Sequence, residues 1–175
     1  MKTNLLAALL LTVTLSCAQT PEREDMDNYK MDAILHRVAD TVEGIPGRWQ
    51  FLIKDRLFLA VTDANANRMR IMSPVAEIDK LDEEIKTKAL LANFHSVLDA
   101  KYAISDEYLW SVFIHPLREL TEAQLEDAIY QVYNANVTFG SSFSSTNLIY
   151  PGTAGQKATE SEKEEEPVLK KKSKF

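Results

Sequence analysis

The side chains able to do chemistry in this chain are few and scattered. His36, His95 and His115 stand alone, without the i, i+4 or Cys/His spacing that brings two ligands onto one metal. They read as surface or capping histidines, and no metal is expected. Asp79, Asp82, Glu83 and Glu84 form an acid cluster able in principle to exchange protons. Their place at a helix start makes compensation of the helix dipole the simpler role. Ser141, Ser142, Ser144 and Ser145 follow Gly140, without the G-x-S-x-G turn that exposes a nucleophilic serine. Neither a G-x-G-x-x-G turn nor a phosphate-cradling P-loop occurs, so no nucleotide or other cofactor is expected. Trp49 and Trp110 sit at strand spacing, suited to a core or an interface, and either ring can stack on a ligand.

One group with directed chemistry remains. Cys17 is the only cysteine and closely follows the apolar run 5–15. With Lys2 ahead of it, that run has the length of an export-signal core and falls well short of the ~20 residues of a spanning helix. Two processing readings compete. Cleavage after Ala18 uses Ser16 and Ala18 as the small −3 and −1 residues. Alternatively, Thr14-Leu15-Ser16-Cys17 resembles a lipobox, with Cys17 as the first mature residue and its sulfur taking a diacylglyceryl group. Leu15 comes one place late for that pattern, and Thr14 occupies the usual leucine position. Two acyl chains suffice for stable anchoring. On either reading the expected location is outside the cytoplasm, in the periplasm or anchored to the inner or outer membrane facing it. No intramolecular disulfide is available, so the fold must rest on its core.

Length and composition bound the rest. A leader over 1–17 leaves roughly 155 residues, one domain with tails. The apolar fraction of 45% and charged fraction of 26% are ordinary for a globular chain. The net charge of −6 argues against nucleic-acid binding. Residues 18–27 are polar and hold a proline, and read as a tether. Residues 28–150 form the expected folded domain. Residues 151–175 turn to Gly, Thr, Ser, Glu and Lys, with Glu164-Glu165-Glu166 ahead of Lys170-Lys171-Lys172. That composition cannot offset its ordering entropy, so a disordered charged tail is expected.

Periodicity places the elements. Met31, Ile34, Leu35, Val38 and Val42 predict a helix over 28–43, ended by Gly44 and Pro46. Runs at 48–53, 57–62 and 68–73 predict an antiparallel meander, closed by Pro74. A second helix is predicted over about 82–99. Its Leu90, Leu91, Phe94, Val97 and Leu98 spread beyond the ~100° stripe of a helix with one buried side. Ala89 and Ala92 add a small-residue face. Residues 102–105 and 108–115 predict a hairpin whose last strand is apolar on both faces, as in a strand covered twice or lying at an interface. Thr121 and Gln124 form a capping-box signature before a third helix ending near Gly140. The order α-β-β-β-α-β-β-α predicts an α+β fold, an antiparallel sheet packed by helices.

The block 49–140 resembles the YbjN-like domain family, whose fold is that of bacterial type III secretion chaperones. The resemblance is carried by Leu90-Leu91-Ala92-Asn93, Tyr102-Ala103-Ile104-Ser105-Asp106 and Trp110 with His115-Pro116-Leu117. Leu120-Thr121-Glu122-Ala123-Gln124-Leu125 and Thr138-Phe139-Gly140 complete it. It implies a small domain, often dimeric in the chaperone branch, that holds protein segments and has no established chemistry.

The expectation is therefore a non-catalytic envelope domain, chaperone- or adaptor-like, that binds another polypeptide and pairs as a homodimer. Burial of apolar surface is the expected mechanism, with Leu91, Leu98, Leu109 and Phe113 as contacts and Cys17 as the lipid anchor. The competing readings are an envelope hydrolase, in which His115 or His95 meets a carboxylate and a hydroxyl, and a small-ligand sensor with Trp49 or Trp110 lining a pocket.

Overall fold

The computed structural model describes residues 24–146. The expected leader with Cys17, most of the tether, and the charged tail lie outside the described residues. Asp27 opens the first helix, α1 (Asn28–Val38), by accepting the Lys30 amide at 2.8 Å on its side chain. Met31, Ile34 and Leu35 are its buried face.

The helix stops short of the predicted residue 43. Ala39 turns extended, and Thr41–Ile45 becomes a strand, β1, paired antiparallel with β2 (Arg48–Ile53). Val42 fits the helical period, but as a strand residue it faces Phe51 and supplies β2 with hydrogen-bond partners that a helix cannot. Pro46 and Gly47 make the turn between them, with Gly47 at φ +104°. Lys54 and Asp55, both at positive φ, make the two-residue hairpin into β3 (Arg56–Asp63).

Strand β4 (Arg68–Glu77) runs past the predicted stop at Pro74. Its pairing with β3 begins at Leu59↔Met72, so Pro74 lies beyond the β3 ladder and its missing amide breaks no bond there. A register shift between Pro74 and Ala76 lets β4 continue beside β6 (Tyr108–His115). A 3₁₀ turn (Ile78–Lys80) leads to α2 (Glu83–His95), then β5 (Lys101–Ser105), β6, and α3 (Glu122–Val137). The capping box at Thr121 and Gln124 forms as the sequence predicts.

The six strands lie in the order β1-β2-β3-β4-β6-β5, every neighbour antiparallel. This is the expected α+β class with one strand more. Register fixes which side chains point inward: Trp49, Phe51, Phe58, Ala60, Met69, Ile71, Leu109, Phe113 and Tyr102 are all buried on one face. Helix α3 lies across β4 and β6 on that face, tied by Ser111 Oγ donating to the Val132 carbonyl at 3.0 Å and Tyr102 Oη to that of Ala135 at 2.6 Å. Burial raises the Tyr102 phenol above its ordinary pKa, so it remains the donor. Helix α1 packs beside α3, and its Asp32 accepts the Trp49 indole N–H at 2.7 Å.

Helix α2 sits at the β5 edge. The Asn93 side chain accepts the Tyr102 amide at 2.7 Å and donates to the Tyr102 carbonyl at 3.0 Å, standing in for a missing strand.

Candidate functional site

With α1 and α3 on the inner face and α2 at the β5 edge, no helix among the described residues covers the opposite face of the sheet. Antiparallel pairing sets its side chains in rows across the strands. One row reads Ile45, Arg48, Val61, Arg70, Ile114, alternating apolar and cationic. The next places Gln50, Leu59, Met72 and Val112 side by side. Beyond it come Leu52 beside Leu57, and Pro74 beside Trp110. Ile45 is 66% exposed and Ile114 54%. Leu57, Leu59, Met72, Trp110 and Val112 are half-buried against one another. Arg48 and Arg70 form no ion pair among the described residues. The apolar side chains thus form one contiguous patch, with Arg48 and Arg70 among them, rather than scattered single residues.

A second apolar surface lies on α2, whose amphipathicity is inverted. Ala89 and Ala92 are the buried residues, while Leu90, Leu91 and Phe94 are 69%, 50% and 88% exposed. The small residues let the helix approach closely, and the large ones form a ridge pointing away. Beside the ridge is a hollow of about 480 Å³ between α2 and the turn after α3, lined by Ile85, Leu91 and Phe143 with Lys88, His95 and Ser141 at its rim.

The four expected contact residues separate. Leu91 is on the exposed ridge. Leu98 is half-buried in the turn after α2, at φ +46°, with its carbonyl accepting the Lys101 ammonium. Leu109 and Phe113 are corrected from surface contacts to core residues, 2% and 7% exposed, because β6 turns its odd-numbered side chains toward α3. The open face of β6 carries Tyr108, Trp110, Val112 and Ile114 instead. Ile45, Val61, Leu90, Phe94 and Ile114 were absent from the expected set. The Arg68/Arg70 alternation with Met69/Ile71 marks which face of β4 is outward, and pairing extends that assignment to β6.

The groups with possible chemistry are dispersed. His36 is exposed on α1, its Nδ1 2.9 Å from the Asp32 carbonyl. His115 stacks on Phe113 with ring centroids 5.9 Å apart, and its Nδ1 is 2.7 Å from the Pro116 carbonyl. His95 reaches the hollow beside α2, but no carboxylate lines that hollow, and Ser96 and Ser141 donate their hydroxyls to the Phe143 and Thr138 carbonyls. Asp82 caps α2 by accepting the Ile85 amide at 2.8 Å, and Glu83 and Glu84 pair with Lys86 and Lys88 along the same helix. Among the described residues, no group of three or more His, Cys, Asp or Glu is placed to hold a metal ion, and no helix is long and apolar enough to cross a membrane. Trp49 is buried with its N–H satisfied, and Trp110 lies half-buried on the open face.

No family model matches this chain, and no curated protein does. Solved structures do. A chain in the complex of the Yersinia pestis type III secretion chaperone SycH with a stable fragment of YscM2 superposes with a TM-score of 0.50 at 12% identity, covering 65% of this chain and 98% of that one. The HopA1–SchA chaperone–effector complex gives 0.49 at 11% identity, covering 64% and 92%. The ExsC–ExsE complex gives 0.49 at 17%, covering 63% and 92%. The SycH superposition, at 12% identity, shows the fold alone, and it is type III secretion chaperone-like.

Proposed function

We propose that residues 28–146 form a non-catalytic polypeptide-binding domain, chaperone- or adaptor-like, working outside the cytoplasm. The observation that carries this is the uncovered outer face of the sheet. A sheet needs both faces buried or one face polar, and here the open face is apolar at its centre, from Leu57 and Leu59 through Met72 to Trp110 and Ile114. The SycH structure, of similar fold, holds a fragment of a second protein. The export-like leader and Cys17 support the envelope location, with the thiol as the lipid attachment. The dispersed histidines, and a hollow beside His95 that no carboxylate lines, favour binding over hydrolysis.

The test is the affinity of the full-length chain for a fluorescent, permanently unfolded polypeptide. Burying each outward aliphatic side chain is worth ~1.5–3 kcal/mol, so V61D/I114D is expected to weaken binding by at least ~10-fold. Both side chains are exposed in the free chain, so its melting temperature should stay close to that of the parent. Unchanged affinity, or no binding by the parent, overturns the reading.

The α2 ridge serves self-association in this proposal. Light scattering is expected to give twice the chain mass for the parent and the single mass for L91E/F94E. A parent that scatters as one chain removes the homodimer.

A further inference from the structure

The outer face also has an occupant within this chain. We propose that residues 160–169 lie on the outer face of the sheet along β4 and compete there with other polypeptides, an inference that rests on that face being the binding surface.

The argument is a match of pattern and charge. Along the outer face of β4, every second residue reads Arg68, Arg70, Met72: two cations, then an apolar side chain. In an extended segment, alternate residues likewise share one side at ~6.8 Å spacing. Glu164, Glu166 and Val168 then read as two anions followed by an apolar side chain. Set parallel to β4, Glu164 meets Arg68, Glu166 meets Arg70, and Val168 meets Met72. Glu160 and Glu162 extend the same side of the segment ahead of Arg68, while Lys163 falls on the other side.

The face has charge to spare. Arg48 and Arg70 lack ion-pair partners among the described residues, and Arg68 donates only to the Asn67 carbonyl. Of the acids on that face, Asp63 stands opposite Arg68 and accepts the Ala66 amide, and Glu77 pairs with Lys80 at 2.7 Å. Glu43 lies three strands from Met72. Pro167 lacks an amide, which costs nothing in a segment laid on a face instead of added to a ladder.

Reach is sufficient. The described chain ends at Thr146, beside α2. The residues from there to Glu164 span up to ~60 Å when extended, against a radius of gyration of ~14 Å for a domain this size. Tethering at that length gives an effective concentration near ~1 mM, enough for a weak contact to compete with a polypeptide in trans.

Trp110 on the outer face supplies the readout, because Trp49 is buried. Acrylamide quenching of the full-length chain at low salt is compared with that of E164K/E166K. Both substitutions lie outside residues 24–146 and leave every core side chain in place. Quenching is expected to rise about twofold in the variant, and equally for the parent at 1 M salt, where charges are screened beyond ~3 Å. A synthetic peptide of residues 158–171 should restore shielding to E164K/E166K, and R68E/R70E combined with E164K/E166K should restore it without peptide. Equal quenching in parent and variant overturns the proposal. So does shielding that grows with protein concentration, which assigns the face to a second copy. Binding of the unfolded polypeptide keeps the two readings apart: with both correct, E164K/E166K binds it ~10-fold or more tighter than the parent. Shielding without any polypeptide binding leaves the segment in place and removes the proposed function.

Discussion

Phe113→Ala is expected to lower the unfolding free energy by about 3–5 kcal/mol, whereas Ile114→Ala, one residue along, should change it by no more than about 1 kcal/mol. Phe113 lies beside Ile71 in register, stacks on His115 and faces α3. Truncation deletes the whole buried ring and leaves a cavity that the strands on either side cannot close, since their backbones are fixed by the ladder. Ile114 points away from the core and is already half in water. Urea unfolding followed by far-ultraviolet circular dichroism measures both, and for a chain of this size the first substitution corresponds to a melting shift of ~10–20 °C. The contrast matters for function because it decides which side of β6 meets a partner. Equal costs at the two positions would place the open face on the wrong side and remove the proposed binding surface with it.

That alternation shows where sequence reasoning stops. The span Tyr108–His115 was legible to the residue, because an apolar run bounded by an acidic turn and a proline has few other solutions. Its orientation was not. A strand apolar on both faces carries no internal signal of which side is inward; only its register against β4, a contact across the intervening α2 and β5, decides. The choice of Leu109 and Phe113 failed for that reason. Helix α2 was half legible: the excess of Leu90, Leu91 and Phe94 was visible, but that the alanines would be the buried side depends on Asn93 drawing the helix onto the β5 edge. Strand β1 was hidden because Val38 and Val42 satisfy the helical period, while the need of β2 for an edge partner is not written in residues 28–43. The start of α1 and the capping box of α3 were readable, since each rests on side chains within one helical turn.

The second large effect is expected where Pro74 is accommodated in the interior of the sheet. Asn136 on α3 donates through Nδ2 to the Pro74 carbonyl at 2.7 Å and to Ser73 Oγ at 2.9 Å, at the point where the register of β4 shifts. Ser73 Oγ in turn donates to the Leu57 carbonyl, so one amide ties α3 to two strands. Asn136→Ala removes both bonds, takes the side-chain donor from the Pro74 carbonyl and opens a small void. The expected cost is about 2–4 kcal/mol. N136D discriminates the hydrogen bond from the volume it fills. Its neutral acid can still donate to Pro74, but its carboxylate cannot, and burial raises its folded pKa above the unfolded value of about 3.9. The folded variant then binds more protons than its unfolded chain between those two values, so its stability relative to the parent is greatest below about pH 3.9 and falls as pH rises toward the folded pKa. Paired urea melts at pH 4 and pH 7 test this. A penalty for N136D that is the same at both would mean that the Asn136 amide fills space without holding Pro74, and that the shift in β4 is secured by the strands alone.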